Sequence, residues 1–173
     1  MAETVNAAGI AHRKLQALHT FWCQCAEHGL LPRRSAIVAE SFKPWMGHMM
    51  IIEPVGARPR FRVRLHGICL YGYHGRDLTG WFLDDVADEP ALSRIVSPYR
   101  AAVEACGAQH DIISPPFSGG TIRSLCRLVL PCAEDGTSVD RLIVGMYLNA
   151  RPSDAGGPAS RPPRGGAQAP VRV

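Results

Sequence analysis

The chain has 173 residues, 46% of them hydrophobic, and a formal net charge of +4 at pH 7. This length supports one domain with a core of its own, and no apolar run approaches the roughly 20 residues that a membrane-spanning helix needs. Residues 151–173 hold four arginines and one aspartate, so the remaining 150 residues carry a charge of only +1. That balance argues against a nucleic-acid-binding domain, and we expect no nucleic acid as a partner.

The amino terminus lacks the basic start and apolar block of a secretory signal, which predicts a cytoplasmic protein. The cysteines form neither a CxxC pair nor a zinc-finger spacing with histidines. Most of them are therefore expected to be small buried hydrophobic side chains, and no metal site is predicted. The six are Cys23, Cys25, Cys69, Cys106, Cys126 and Cys132.

Residues 1–9 are predicted to be disordered, and the first element is a helix over residues 10–28. Its apolar side chains recur mostly at steps of three and four. They are Ile10, Leu15, Leu18, Phe21, Trp22 and Cys25. Gly29 is placed to cap the end of this helix. Ser35 and Ser41 then favour the starts of two short helical turns.

Two strands follow, over residues 48–55 and 60–67, and the turn sequence GARP joins them. The second strand alternates between apolar and polar residues. One face carries Phe61, Val63 and Leu65, and the opposite face carries Arg60, Arg62, Arg64 and His66. The two strands predict a β-hairpin in which His66 lies on a polar face.

The second half of the chain begins with a helical pattern over residues 90–107, which Pro98 should break or restart. Strands are then predicted over residues 110–114, 121–131 and 139–149. The segment AEDGT, residues 133–137, contains an Asp-Gly pair and predicts the hairpin turn between the last two strands. In the strand over 121–131, Leu125, Arg127 and Val129 share one face, while Cys126, Leu128 and Leu130 share the other.

The element order is therefore helix, two strands, helices and three strands, over residues 10–150. Hairpins at both ends and helices in the middle predict an α+β domain, with an antiparallel sheet and helices mainly on one face. Residues 151–173 are rich in Pro, Gly and Ala and are predicted to be a disordered tail.

This organisation resembles a PAS domain, and more closely the single-domain PAS-like proteins common in alphaproteobacteria, the PAS_5 group. The resemblance covers roughly residues 10–150 and depends on the order of motifs that are each weak alone. They are Leu31-Pro32-Arg33-Arg34, Trp45-Met46-Gly47-His48, Phe61 to Gly67, Gly75-Arg76-Asp77-Leu78-Thr79-Gly80, Tyr99-Arg100, Leu128-Val129-Leu130-Pro131, Glu134-Asp135-Gly136 and Gly145-Met146-Tyr147. One departure is Ala39-Glu40, where the group often has Asp-Pro.

The resemblance implies a five-stranded antiparallel sheet of order 2-1-5-4-3, with a flanking N-terminal helix and helices that enclose a possible ligand cavity. It also implies a sensory or regulatory role, in which the domain binds small molecules or cofactors or mediates protein contacts in signalling.

The segment LYGYHGRDLTGWFLDDV, residues 70–86, is the stretch most like a phosphate-binding or catalytic motif. It lacks GxGxxG spacing and the Gly-Lys-Ser/Thr of a P-loop. We interpret its glycines as turn formers between the second strand and short helices, with an Asp or Thr as a helix cap. The positions predicted to shape these turns are Gly67, Gly72, Gly75, Asp77 and Gly80.

A cavity in such a fold would be lined by this segment and the neighbouring strands. The predicted apolar and aromatic lining is Leu65, Ile68, Tyr71, Leu78, Trp81, Phe82, Ile112, Leu128 and Tyr147, and the polar candidates are His66, His74, Arg123 and Arg127. An open ligand cavity and a filled core remain equal alternatives. Haem is a further alternative, because His66, His74 or His110 could ligate iron; no cofactor is assigned.

The chain contains no Gly-x-Ser-x-Gly, no HExxH and no carboxylate pair in a recognisable frame, so we predict that it is not an enzyme. The prediction is a sensory or regulatory domain that binds a small ligand, a signalling protein partner in trans, or both. A small α+β enzyme with a buried polar pocket and a haem sensor remain alternatives. A homodimer is predicted through the first helix, by Leu15, Leu18, Phe21, Trp22 and Cys25.

Overall fold

The structure, a computed structural model, describes residues 7–27, 29–37, 39–113 and 124–148. Within these ranges the helices are α1 (Arg13–Gln24), α2 (Tyr71–His74) and α3 (Ala91–Ala105). The strands are β1 (Met49–Val55), β2 (Arg60–His66), β3 (Gln109–Ile113), β4 (Leu125–Cys132) and β5 (Arg141–Leu148). The tail over 151–173, predicted to be disordered, lies outside the described residues. Ala7–Gly9, in the amino-terminal segment also predicted to be disordered, form a single 3-10 turn.

The strands form one antiparallel sheet in the order β2-β1-β5-β4-β3. This confirms the predicted strand order and the α+β, PAS-like fold. Each predicted hairpin is present, since β1 pairs with β2 and β4 pairs with β5. No helix among the described residues is long and apolar enough to cross a membrane.

The sheet is covered on both faces, and this produces two cores. The helix-side core lies between the sheet and α2 and α3, and it contains Met50, Val63, Tyr99 and Val129. The outer core lies between the opposite face and α1. β4 contributes alternate residues to the two cores, as period-2 geometry requires: Leu125 and Val129 to the first, Cys126, Leu128 and Leu130 to the second.

Helix α1 packs on the sheet of its own chain. Leu15 and Leu18 are fully buried, and each has a methyl carbon within 3 Å of where a Cβ on Gly145 would stand (2.7 and 2.9 Å). The Trp22 indole N–H donates to the Pro131 carbonyl at 2.8 Å. The helix is shorter than predicted and ends at Gln24, before the predicted cap.

A register shift in the first hairpin corrects the predicted faces of β2. Ile52 lies opposite Val63, but its neighbour Ile51 lies opposite Leu65, so one extra residue of β2 bulges between them. Beyond this bulge the alternation inverts. His66 pairs with Met50 of the helix-side core and is buried, instead of lying on the polar face as predicted.

Helix α3 continues through Pro98, which corrects the predicted break. A proline lacks the N–H that would bond to the carbonyl four residues earlier, here that of Arg94. The guanidinium of Arg127 approaches this carbonyl at 3.4 Å and donates to the Ile95 carbonyl at 2.8 Å. Arg127 of β4 therefore supplies hydrogen-bond donors at the position where the backbone of α3 lacks one.

Candidate functional site

The candidate site is a small cavity between the sheet and the helices, here called the helix-side cavity. Most of its wall is apolar, with Met50 and Met146 from the sheet and Leu78 from the segment after α2. Three polar side chains join this wall: His74 from α2, Tyr99 from α3 and Arg127 from β4. Polar groups at an otherwise apolar cavity are what fixes the orientation of a bound ligand.

The volume of the helix-side cavity is about 40 Å³. A water molecule occupies about 30 Å³ in the liquid, whereas small-molecule pockets are typically about 300–1,000 Å³. The cavity therefore has room for water and none for a metabolite in this conformation. A separate and larger cleft of about 840 Å³ lies between α3 and β3, beside His110 and Ile112.

His66 and His74 form a hydrogen-bonded pair at one wall of this cavity. The His66 Nε2 and His74 Nδ1 atoms are 2.9 Å apart, and the Leu78 amide donates to His66 Nδ1 at 3.2 Å. Because Nδ1 of His66 accepts, the proton of its neutral ring is on Nε2, which donates to His74. The amide of Leu78 thus determines the tautomer of the whole pair.

Asp77 and Tyr71 surround the outer side of His66. The Tyr71 ring stacks on the imidazole with centroids 5.0 Å apart, and an Asp77 carboxylate oxygen lies 3.5 Å from His66 Nδ1. Asp77 also accepts from the amide and the hydroxyl of Thr79 at 2.9 and 2.8 Å. These bonds from Thr79, with one from Tyr71, hold the pKa of Asp77 at about 2.

Both histidines are neutral at pH 7. Burial, followed by the proximity of His66, lowers the pKa of His74 to about 4, although a bond to the Leu70 carbonyl acts in the opposite direction. Burial also lowers the pKa of His66, and Asp77 partly opposes this effect. The pair is therefore an uncharged polar cluster inside a mostly apolar environment.

Arg127 is the polar group across the cavity, and its side chain is fully buried. Its guanidinium forms two bonds with the Asp111 carboxylate, at 2.8 and 2.6 Å, besides those with the α3 carbonyls. It also lies 5.1 Å from the centre of the Tyr99 ring. A buried guanidinium needs such a complete set of partners, and here they tie β3, β4 and α3 together.

The structure brings together part of the predicted pocket. His74, Leu78 and Arg127 line the cavity, His66 bonds to His74, and Tyr71 stacks on His66. The sequence reading missed the other wall residues, among them Met50, Tyr99 and Met146. The strand alternation contained a signal for Met50, since residues 50 and 52 share a face, but the paired apolar residues of β1 concealed it.

Other predicted lining residues lie elsewhere. Ile68, Trp81 and Ile112 are 73%, 44% and 53% exposed, and Phe82 lies at the sheet edge under the Arg60 guanidinium. Three more lie on the outer side of the sheet. Leu128 and Tyr147 belong to the outer core, where the Tyr147 ring stacks between His12 and His48. Leu65 pairs with Ile51 beyond the bulge. Arg123 lies outside the described residues.

The predicted turn positions have different roles. Gly75 ends α2 in the left-handed region, at a φ of 73°, where residues with a side chain are strained. A Cβ on Gly67 would lie 2.4 Å from the Gly47 carbonyl oxygen, so only glycine fits there. The Gly80 amide donates to the Val63 carbonyl at 2.8 Å and attaches the segment to β2. Gly72 lies within α2, and a Cβ there would meet open space.

Two arrangements superficially resemble catalytic groups. Cys23 lies 3.8 Å from His19 on α1, but burial raises the pKa of this thiol, which makes it a poor nucleophile, and neither residue lines the helix-side cavity. Near His66, the carboxylate of Asp77 stands between the Thr79 hydroxyl and the imidazole. A catalytic series needs the imidazole next to the nucleophile.

The histidine pair does not fit haem or a metal ion in this arrangement. A cavity of about 40 Å³ is too small for the macrocycle, and the two imidazoles bond to each other. Binding of an ion at His66 Nε2 would require the proton on Nδ1, where the Leu78 amide already donates. Among the described residues, no group of three or more His, Cys, Asp or Glu could hold a metal ion.

No family model matches this chain, and a search of curated proteins found no match. Among solved structures, the chain is similar to a domain of an HTR-like protein from Haloarcula marismortui ATCC 43049. The similarity has 19% sequence identity and a TM-score of 0.43, and it covers 57% of this chain and 92% of that domain.

Proposed function

We propose that this chain is a non-catalytic, PAS-like sensory or regulatory domain of the cytoplasm that acts through a protein partner. Its responsive part is the segment from Ile68 to Gly80, here called the 68–80 segment. The observation that supports this proposal is the bond between the buried His66 and the half-buried His74, which holds the segment against the sheet. Polar bonds of this kind can be broken by a ligand that competes for them or by a proton.

The 68–80 segment has the properties of a movable element. Its only α-helix, α2, has four residues, and a 3-10 turn over Ile68–Leu70 precedes it. A helix this short gains little stability from its own hydrogen bonds, so its position depends on contacts with the sheet. These contacts come from Leu70, Tyr73 and Leu78, which are buried, while Ile68 and Trp81 face solvent.

A ligand of metabolite size can enter the helix-side cavity only if this segment is displaced, because the cavity beneath it is too small. The polar groups of this cavity are His74, which moves with the segment, and Arg127, which a ligand reaches only in competition with its bonds to Asp111. A ligand that binds the displaced conformation better shifts the population toward it, and the exposed side of the segment communicates the change to a partner.

The methionine methyl groups test this proposal directly. Met50 and Met146 line the helix-side cavity, whereas Met49 belongs to the outer core on the opposite face and serves as an internal control. We expect at least one compound of a metabolite library to shift the Met50 and Met146 methyl signals, to leave Met49 unchanged, and to raise the melting temperature.

The same compound should be recovered unaltered by mass spectrometry after long incubation. Conversion of a compound that shifts Met50 and Met146 would contradict the non-catalytic part of the proposal. If no compound moves the two methyl signals, small-ligand binding is rejected and the partner alone remains.

The proposal includes the predicted homodimer only as a dimer in which two copies exchange helix α1. The apolar side of α1 is already buried on the sheet of its own chain through Leu15, Leu18 and Trp22. A dimer through this helix therefore requires its exchange between two copies. Light scattering of the full chain should give the mass of two chains, and the mass of one chain would remove the homodimer from the proposal.

A further inference from the structure

We infer that the His66–His74 pair is a proton switch, in which uptake of one proton releases the 68–80 segment from the sheet. The inference rests on the proposed function and names the signal that acts on the responsive segment. It is based on the hydrogen-bond arrangement of the pair, which in its neutral form has no free position for an additional proton.

Each neutral imidazole has one ring nitrogen that can accept a hydrogen bond, and in both rings that nitrogen already accepts one. Nδ1 of His66 accepts from the Leu78 amide, and Nδ1 of His74 accepts from His66 Nε2. A proton added to His66 meets the Leu78 N–H, and a proton added to His74 meets the His66 N–H. Either event places two donors against each other and breaks one of the two bonds.

The charged groups around the pair single out His74 as the ring whose protonation releases the segment. On the segment side, Asp77 carries a negative charge 3.5 Å from His66 Nδ1. Across the cavity, Arg127 carries a buried positive charge. This charge is balanced by the Asp111 carboxylate, which accepts two bonds from Arg127. A charged His66 is attracted toward Asp77 in place of the Leu78 amide, so release of the segment follows protonation of His74, whose burial disfavours the charge.

The remaining titratable groups nearby do not counteract this effect. They are Tyr71 stacked on His66, Tyr73 and Cys69 on the same segment, Tyr99 on α3, and Asp111 on β3. Asp111 is already paired with Arg127 through two bonds, and the tyrosines are neutral below pH 9 because their pKa values are raised above the ordinary value of 10. On the opposite strand, the residue paired with His66 is the apolar Met50.

Release extends from the histidines to the core through Leu78. This side chain is 3% exposed and lines the cavity, while its amide is the group that protonation of His66 displaces. Loss of that bond frees Leu78, and loss of the His66–His74 bond frees α2. The switch therefore opens the same cavity that a ligand of the proposed sensory domain would enter.

Amide hydrogen exchange of the full chain tests the switch. His74 has a pKa of about 4 when packed and the ordinary 6.5 when released. From these values, protection of the Leu78 amide should fall about tenfold between about pH 7.5 and pH 5.5, after correction for intrinsic exchange. The amide of Val144, in the central strand β5, should retain its protection.

A double variant, His66→Gln with His74→Gln, provides the control. Two glutamine amides can bond to each other and to the Leu78 amide, but they do not titrate in this range. The pH dependence of Leu78 protection should disappear in this variant and persist in His110→Gln, whose half-buried histidine lies on β3 away from the pair. Persistence in the double variant overturns the inference.

A second measurement does not depend on whether the variant folds. Long-range ¹H–¹⁵N spectra of the wild-type chain at neutral pH should show both rings protonated on Nε2. Protonation of His66 on Nδ1 would overturn the inference. The two proposals are tested separately. If protection of the Leu78 amide does not depend on pH, the proton switch is rejected and the ligand proposal is not affected. If no compound shifts the methionine signals, ligand binding is rejected and the proton switch is still tested by the exchange experiment.

Discussion

At the scale of single residues, His74 determines how stability depends on pH. Burial holds its pKa at about 4 in the folded chain, below the ordinary value of 6.5 that applies when the chain is unfolded. The unfolded chain therefore takes up the proton first as the pH falls. The free energy of unfolding contributed by the neutral His74 is complete above pH 6.5 and is lost as the pH falls toward 4.

Urea denaturation measures this contribution. Between about pH 7.5 and pH 5, His74 should account for a loss of about 2 kcal/mol in the free energy of unfolding. The variant His74→Gln should lose correspondingly less over the same interval. Equal losses in the two proteins would show that the imidazole of His74 is not buried as the structure places it.

The position of His66 shows where sequence reasoning reached its limit at this scale. Alternation along β2 predicts His66 on the face of Arg62 and Arg64, and this reasoning holds from Phe61 to Val63. The bulge opposite Ile51 then adds one residue and inverts the faces. A bulge depends on how two strands fit together, so the alternation of one strand contains no signal for it.

At the scale of elements, Arg127 connects β4 to α3 and compensates for the proline within that helix. Its guanidinium donates to the Ile95 carbonyl and approaches that of Arg94, which has no backbone donor because residue 98 is proline. Arg127→Met removes these bonds and leaves Asp111 without its partner. We expect it to destabilise the chain by about 2–4 kcal/mol.

Two further variants make this expectation specific. Pro98→Ala restores an N–H for the Arg94 carbonyl, so in that background the cost of Arg127→Met should fall by about 1 kcal/mol. Arg60→Met removes a half-exposed arginine that pairs with Asp84 and Asp85, and it should cost under about 1 kcal/mol. A cost of Arg127→Met that is equally small, or that Pro98→Ala leaves unchanged, would contradict the account.

The elements themselves were largely predictable, and their ends were less so. Strong alternation and turn residues located both strands of the first hairpin and β5 within one or two residues, because those patterns reflect local geometry. β4 was predicted from residue 121 and begins at Leu125. The continuity of α3 was not predictable, since it depends on Arg127, which lies about 30 positions later in the sequence. For the same reason, the sequence did not predict that Tyr99 and Arg127 lie together at the helix-side cavity.

At the scale of the whole molecule, the fold separates a sheet packed on both faces from the 68–80 segment, which we propose is the responsive part. The sheet is packed on both faces, by α1 on one side and α3 on the other, through two separate apolar cores. The 68–80 segment is held by a few buried side chains and by the histidine bonds. The element order predicted the fold, but it could not predict that the expected ligand cavity measures about 40 Å³.

That difference has a physical reason. Element order and face patterns determine which residues point inward, and they determined that Leu78, His74 and Arg127 do so. The volume that remains after packing depends on the fit of each side chain, to which a pattern of apolar and polar residues is not sensitive. In the proposed sensory role, ligand entry into the helix-side cavity therefore depends on movement of the 68–80 segment.

Hydrogen–deuterium exchange across the full chain, at about pH 7.5 and about pH 5.5, tests this central claim most directly. After correction for intrinsic rates, the account predicts a selective loss of protection in the 68–80 segment, with α1, β4 and β5 retaining theirs. An equal loss of protection over all elements, or a 68–80 segment as protected at the lower pH as at the higher, would contradict it.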